Sequence, residues 1–179
     1  MRRWLLVAVL VILVSGCAQQ TNLSGKTIAE CEKLAEQQKY DCYRLNALQK
    51  GDETLCQLSG KTVGEKDYCY IDVAKKKQSI DVCKLVSEEA TRKDYCYIQV
   101  AIQKNDESIC EIVSKTGDLN KDVCYMDVAA TKQDENICEK VATSKDKDIC
   151  YGKLAVMKND VTLCEKAGTQ RESCLASFK

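Results

Sequence analysis

The apolar residues of this chain recur in a fixed pattern around its cysteines. Residues 66 to 83 read KDYCYIDVAKKKQSIDVC, and close copies run from 93 to 110, 121 to 138 and 147 to 164, with a looser one from 39 to 56. Each copy opens on a cysteine (Cys42, Cys69, Cys96, Cys124, Cys150) followed at once by Tyr43, Tyr70, Tyr97, Tyr125 or Tyr151. Four positions on stand Asn46, Val73, Val100, Val128 and Leu154, and next to them an alanine (Ala47, Ala74, Ala101, Ala129, Ala155). Positions i, i+1, i+4 and i+5 share one face of a helix, so each copy predicts an amphipathic helix. Asp67, Asp94, Asp122 and Asp148, two residues before their cysteines, are placed to cap its start.

A second element follows. Ten residues after the opening cysteine comes a capping residue type: Asp52, Ser79, Asp106, Asp134 and Asp160. Four further on is a second cysteine: Cys56, Cys83, Cys110, Cys138 and Cys164. Apolar residues precede it (Leu55, Val82, Ile109, Ile137, Leu163) and follow it (Leu58, Val86, Val113, Val141, Ala167), which predicts a new short helix from the capping residue. The segments GEK, TR and TSKDK read as turns into the next copy. The expected fold is all-α: about six short helical hairpins on a repeat of about 27 residues, stacked as an α-solenoid or a compact bundle.

Cysteine spacing then bears on pairing. Thr27 to Cys31 resembles one more second element, and Glu172 to Cys174 one more helix start, so the two cysteine types alternate from Cys31 to Cys174. Partners 14 residues apart, such as Cys69 and Cys83, are separated by ten residues up and four down. At 1.5 Å per residue that leaves them roughly 9 Å out of register, beyond the ~7 Å reach of a disulfide. The other neighbours lie 10 to 14 residues apart across a loop of variable length, each about one turn from it. The predicted bonds are Cys31–Cys42, Cys56–Cys69, Cys83–Cys96, Cys110–Cys124, Cys138–Cys150 and Cys164–Cys174, a phase that leaves out only Cys17.

The N-terminus gives Cys17 another role. Residues 1 to 17, MRRWLLVAVLVILVSGC, combine Arg2 and Arg3, an apolar run too short to span a bilayer, and small residues before the cysteine. This resembles the lipobox of prokaryotic lipoproteins. The resemblance implies a signal peptide at 1–16, a lipid thioether on Cys17 that holds the protein to a membrane, and a cell-envelope location where disulfides persist. Residues 17–26 read as a flexible tether, within which Asn22 fits a glycosylation acceptor, and 27–179 as the cysteine-rich helical repeat domain.

Composition narrows the chemistry. Without Arg2 and Arg3, 25 basic residues face 27 acidic ones, interleaved, which speaks against nucleic acid as a partner. Histidine and proline are absent. Evenly spread cysteines without C-x-x-C or histidine do not resemble a metal site, and no catalytic motif or cofactor signature stands out, so no metal, cofactor or catalytic residue is assigned. All eight tyrosines lie within two residues of an opening cysteine, where they would shield disulfides. Tyr68 and Tyr95, on the other side of the cysteine, are the candidates for an exposed binding surface. In its logic the array is similar to the disulfide-stapled Sel1-like repeats, related to TPR repeats, which implies protein interaction; the repeat here is shorter and its cysteine spacing differs. The expected function is a lipid-anchored binding or scaffold module for an envelope or extracellular macromolecule. The alternatives are an envelope thiol–disulfide enzyme, which needs a reactive cysteine besides Cys17, and a structural surface protein without a specific partner.

Overall fold

The structure, a computed structural model, describes residues 23–179; Cys17, Asn22 and the signal segment lie outside them. Among the described residues there is no strand. Eight α-helices, α1 (Ile28–Cys31), α2 (Glu36–Lys50), α3 (Val63–Lys77), α4 (Ile80–Cys83), α5 (Ala90–Lys104), α6 (Lys121–Lys132), α7 (Ser144–Lys158) and α8 (Arg171–Ala176), alternate with 3-10 turns at Glu53–Leu58, Glu107–Ile112, Glu135–Lys140 and Val161–Lys166. Each of about six units is a short turn followed by a longer helix.

Helices α3, α5 and α7 begin a turn earlier than Asp67, Asp94 and Asp148, while α6 begins one residue before Asp122. Thr62 accepts the Glu65 N–H and Glu65 bonds back to the Thr62 N–H, a capping box that opens α3. Asn120 caps α6 and Thr143 caps α7. Gly64, Thr91 and Ser144, expected in turns, are therefore helical. The same box at Thr27 and Glu30 opens α1.

A repeated left-handed residue stops α2, α3, α5, α6 and α7: Gly51, Gln78, Asn105, Gln133 and Asn159, with φ between 51° and 66°. The next N–H then closes onto the repeat alanine. Asp52, Ser79, Asp106, Asp134 and Asp160 donate to the carbonyls of Ala47, Ala74, Ala101, Ala129 and Ala155 at 2.9 to 3.1 Å, a Schellman closure. The four aspartates also cap the turn that follows, accepting from Thr54, Ser108, Asn136 and Thr162. Ser79 makes no such bond, and its unit forms an α-turn in place of a 3-10 turn.

Three residues per turn sets what the 3-10 elements bury. The cysteine and the residue three beyond it share a face, so Ser59, Val86, Val113, Val141 and Ala167 are buried. The residue two beyond points out. Leu58, expected beside Val86 in the core, is 48 % exposed, and Ser59 takes the core position with its hydroxyl donating to the Cys56 carbonyl.

The predicted stripe is the core of each long helix: the repeat cysteines, Val73, Val100, Val128, Leu154 and the alanines are buried, with Tyr43, Tyr70, Tyr125 and Tyr151 beside them. Helices pack chiefly on their neighbours in order, α2 on α3, α3 on α5, α5 on α6, α6 on α7 and α7 on the short α8. That is an open α-solenoid rather than a closed bundle.

Candidate functional site: the disulfide seam and two exposed rows

Six disulfides close the units: Cys31–Cys42, Cys56–Cys69, Cys83–Cys96, Cys110–Cys124, Cys138–Cys150 and Cys164–Cys174, with Cα atoms 5.4 to 5.7 Å apart. The short turn and the middle of the long helix come level across the loop between them. All twelve cysteines are between 0 % and 5 % exposed. A catalytic thiol must be reached by its substrate, and these sulfurs are sealed in the core. Six disulfides in one chain point to an oxidising, extracytoplasmic compartment.

A tyrosine hydroxyl spans each of several staples. Tyr43 donates to Glu32, Tyr125 to Glu111 and Tyr151 to Glu139, the residue just after the turn cysteine, while Gln57 donates to Tyr70 at the same place. Burial first, then the carboxylate, holds the Tyr125 and Tyr151 hydroxyls well above the usual phenol range. Lys121 first and then Tyr125 hold Glu111 below the usual carboxylate range, as Tyr151 first and then Lys147 hold Glu139.

Asp67, Asp94, Asp122 and Asp148 do not cap helix starts. They lie inside their helices and reach into the loop of the next unit. Asp67 accepts the Ser87 N–H and hydroxyl, Asp94 the Ser114 N–H, Asp122 the N–H groups of Ala142 and Thr143, and Asp148 the N–H and hydroxyl of Thr169. In the unit of α2 the position is Tyr40, and this clamp is missing there. A second link lies within the units: Glu53, Glu107 and Glu135 at the start of a turn pair with Lys77, Lys132 and Lys158 at the end of the helix stapled to it.

Two sets of side chains remain turned to solvent. Tyr68 is 57 % exposed and Tyr95 37 %. Both line one groove of about 340 Å³ between α3 and α5, with Ile71, Asp72, Lys75 and Arg92 beside them. The structure thus brings the two predicted tyrosines together. The second set was not predicted. Leu58, Leu85 and Ile112, each two residues after a turn cysteine, are 48 %, 51 % and 51 % exposed in three successive units. The next two units carry Lys140 and Lys166 there, which pair with Glu107 and Glu135 and lie over the Tyr125 and Tyr151 rings. The signal that finds this row is the spacing from the cysteine, since a residue two beyond a buried one lies off its face in a 3-10 or an α turn alike.

Of the segment read as a tether, Leu23 and Lys26 are half-buried and Ser24 and Gly25 exposed. Leu23 lies against the Cys31–Cys42 staple and Tyr43, and Gln49 donates to Ser24 at 3.0 Å. Among the described residues no helix is long and apolar enough to cross a membrane, and no group of three or more His, Cys, Asp and Glu is placed to hold a metal ion.

No protein-family profile matches the chain, and neither curated proteins nor solved structures offer a significant match. Its function is therefore argued from the exposed rows and the chemistry of the chain.

Proposed function

We propose that the chain is a lipid-anchored, extracytoplasmic repeat module that binds another protein at the cell envelope. The observation that carries this reading is the row Leu58, Leu85 and Ile112. A large aliphatic side chain left in water at one repeat position of three successive units is a surface the array maintains against the hydrophobic effect, and such patches mark interaction sites. The Tyr68 and Tyr95 groove is a second, aromatic contact, a residue type enriched where proteins meet. The membrane link rests on residues 1 to 17 alone, with Cys17 as the lipid carrier. Asn22, in the stretch between that cysteine and Leu23, keeps its reading as a glycosylation acceptor in that setting. Sealed disulfides favour this reading over a thiol–disulfide enzyme.

The test is a photo-crosslinking residue placed at Leu85 in cells, with exposed Lys104 as the control position. The expected result is a discrete protein adduct at Leu85 that disappears when Leu58 and Ile112 are changed to lysine. Lysine suits the fold there, since Lys140 and Lys166 occupy the same position. Equal, scattered adducts at Leu85 and Lys104 would instead favour a structural surface protein. Mass spectrometry of the N-terminal peptide checks the anchor: an unmodified Cys17 thiol in membrane-purified protein removes it.

A further inference from the structure

One ion pair recurs across the staples. The residue just after the turn cysteine binds the residue three before the helix cysteine: Glu32 with Lys39, Glu111 with Lys121, Glu139 with Lys147 and Glu165 with Arg171. The units stapled by Cys56–Cys69 and Cys83–Cys96 break this pattern. Their basic residues remain, as Lys66 and Lys93, but Gln57 and Lys84 stand where the other units carry glutamate. Among the described residues Lys66 has no carboxylate partner. Lys84 turns back to Asp81 of its own turn, and Lys93 turns to Glu88, whose side chain is 93 % exposed. These are also the units that carry Leu58 and Leu85 of the exposed row. Val63, itself 61 % exposed, lines a groove of about 230 Å³ with Lys66, Tyr70 and Leu85. Open aliphatic side chains and lysines without the repeat's carboxylate therefore coincide.

We infer that this part of the row receives an acidic segment of a partner protein, an inference that rests on the binding role proposed above and names the partner's chemistry. Its aliphatic side chains lie on Leu58, Val63 and Leu85, and its carboxylates meet Lys66, Lys84 and Lys93. Charge complementarity selects this occupant. The repeat supplies a carboxylate to the basic position in four units and withholds it in the two where leucine and valine are open. An ion pair open to water holds its lysine weakly. Lys84 and Lys93 are therefore free to turn to a carboxylate that arrives with apolar surface, because that surface excludes water and strengthens the new pair. The change is confined to two of the six stapled units and is bordered by Glu32 and Glu111. That extent suits a segment of polypeptide rather than an anionic bilayer spread along the whole array.

Selection from a random peptide library on the full chain in detergent tests this. The control variant combines Gln57→Glu and Lys84→Glu, which gives Lys66 and Lys93 the pair that the other four units make and so suits the fold. Peptides enriched on the wild type should carry Asp or Glu beside Leu, Ile or Val. Synthetic copies should bind the variant about tenfold more weakly, and bind the wild type less as salt is raised. The variant should keep the wild-type melting curve; if it melts early, Lys84→Glu alone is read in the same way. Basic or neutral peptides, or no enrichment over the variant, would overturn the inference. The photo-crosslinker at Leu85 separates it from the reading it rests on. A protein adduct in cells that survives Gln57→Glu with Lys84→Glu overturns the acidic partner and leaves the binding module standing, whereas no protein adduct at Leu85 removes both. An adduct to lipid, or to a second copy of this chain, would also overturn it.

Discussion

The carboxylate of Asp122 accepts the N–H of Thr143 at 3.0 Å, across 21 residues of chain and from one unit into the next. Its other oxygen takes the Ala142 N–H at 2.9 Å, so one side chain supplies both acceptors for a bend that has no ladder to join. The same bond recurs at three of the other four seams with Asp67, Asp94 and Asp148, and is missing between α2 and α3. The disulfides close each unit within itself; these aspartates set the stacking of one unit on another.

Replacing Asp122 with alanine orphans both N–H groups and should cost about 2–3 kcal/mol, whereas asparagine, which keeps one acceptor, should cost about half as much. Urea unfolding with the disulfides intact measures both. Equal stability of the alanine variant and the wild type would mean that the clamp contributes nothing.

The staples act on the unfolded chain. Removing one by the double change Cys83→Ala and Cys96→Ala opens a 13-residue separation and should cost about 3 kcal/mol in the chain-entropy account. Thiol titration of the native protein should detect no free sulfhydryl from Cys31 to Cys174. One reactive thiol among them would revive the redox reading.

Acid should loosen the packing of each turn on the helix stapled to it. Glu107 is bonded to Lys132 at 2.8 Å and to Lys140 at 3.4 Å, and the first of these bonds is the main reason its carboxyl titrates at about 2 rather than 4.5. Glu53 and Glu135 are lowered in the same way, chiefly by Lys77 and by Lys158. A carboxyl depressed by folding stabilises fully above its unfolded value and loses that contribution as pH falls through the folded one. The melting temperature should therefore fall as pH drops from about 4.5 towards 2. Glu107→Gln should make that fall shallower, and an unchanged slope would show that the pair is screened out by solvent.

Gln133 ends α6 with φ at 53°, a conformation that glycine adopts freely. Gln133→Gly should stabilise the protein by about 0.5–1 kcal/mol, the relief of left-handed strain outweighing the extra freedom of the unfolded chain. Gly51 already occupies this position at the end of α2. A lower melting temperature would mean that the glutamine side chain holds the turn.

Much of the repeat is legible in one dimension because its strongest signals are local. Cysteine, tyrosine, valine and alanine at i, i+1, i+4 and i+5 describe a buried helix face wherever they occur, and the 3-10 caps Asp52, Asp106, Asp134 and Asp160 act within two residues of themselves. The helix starts are less legible: an aspartate before a helix face resembles a cap, while Glu65, half of the capping box that opens α3, stands in the GEK segment that reads as a turn.

From its own chain, this protein's sequence determines the two-element unit, the all-helical class and a pairing register for twelve cysteines, because rise per residue and side-chain period are properties of the local backbone. Only the tertiary structure decides what Asp67 and its counterparts do, since their partners lie about twenty residues away in the next unit. It also decides that Leu58, Leu85 and Ile112 are left in water while Ser59 is buried. Burial is set by what a neighbouring unit covers, and that follows from how the units stack.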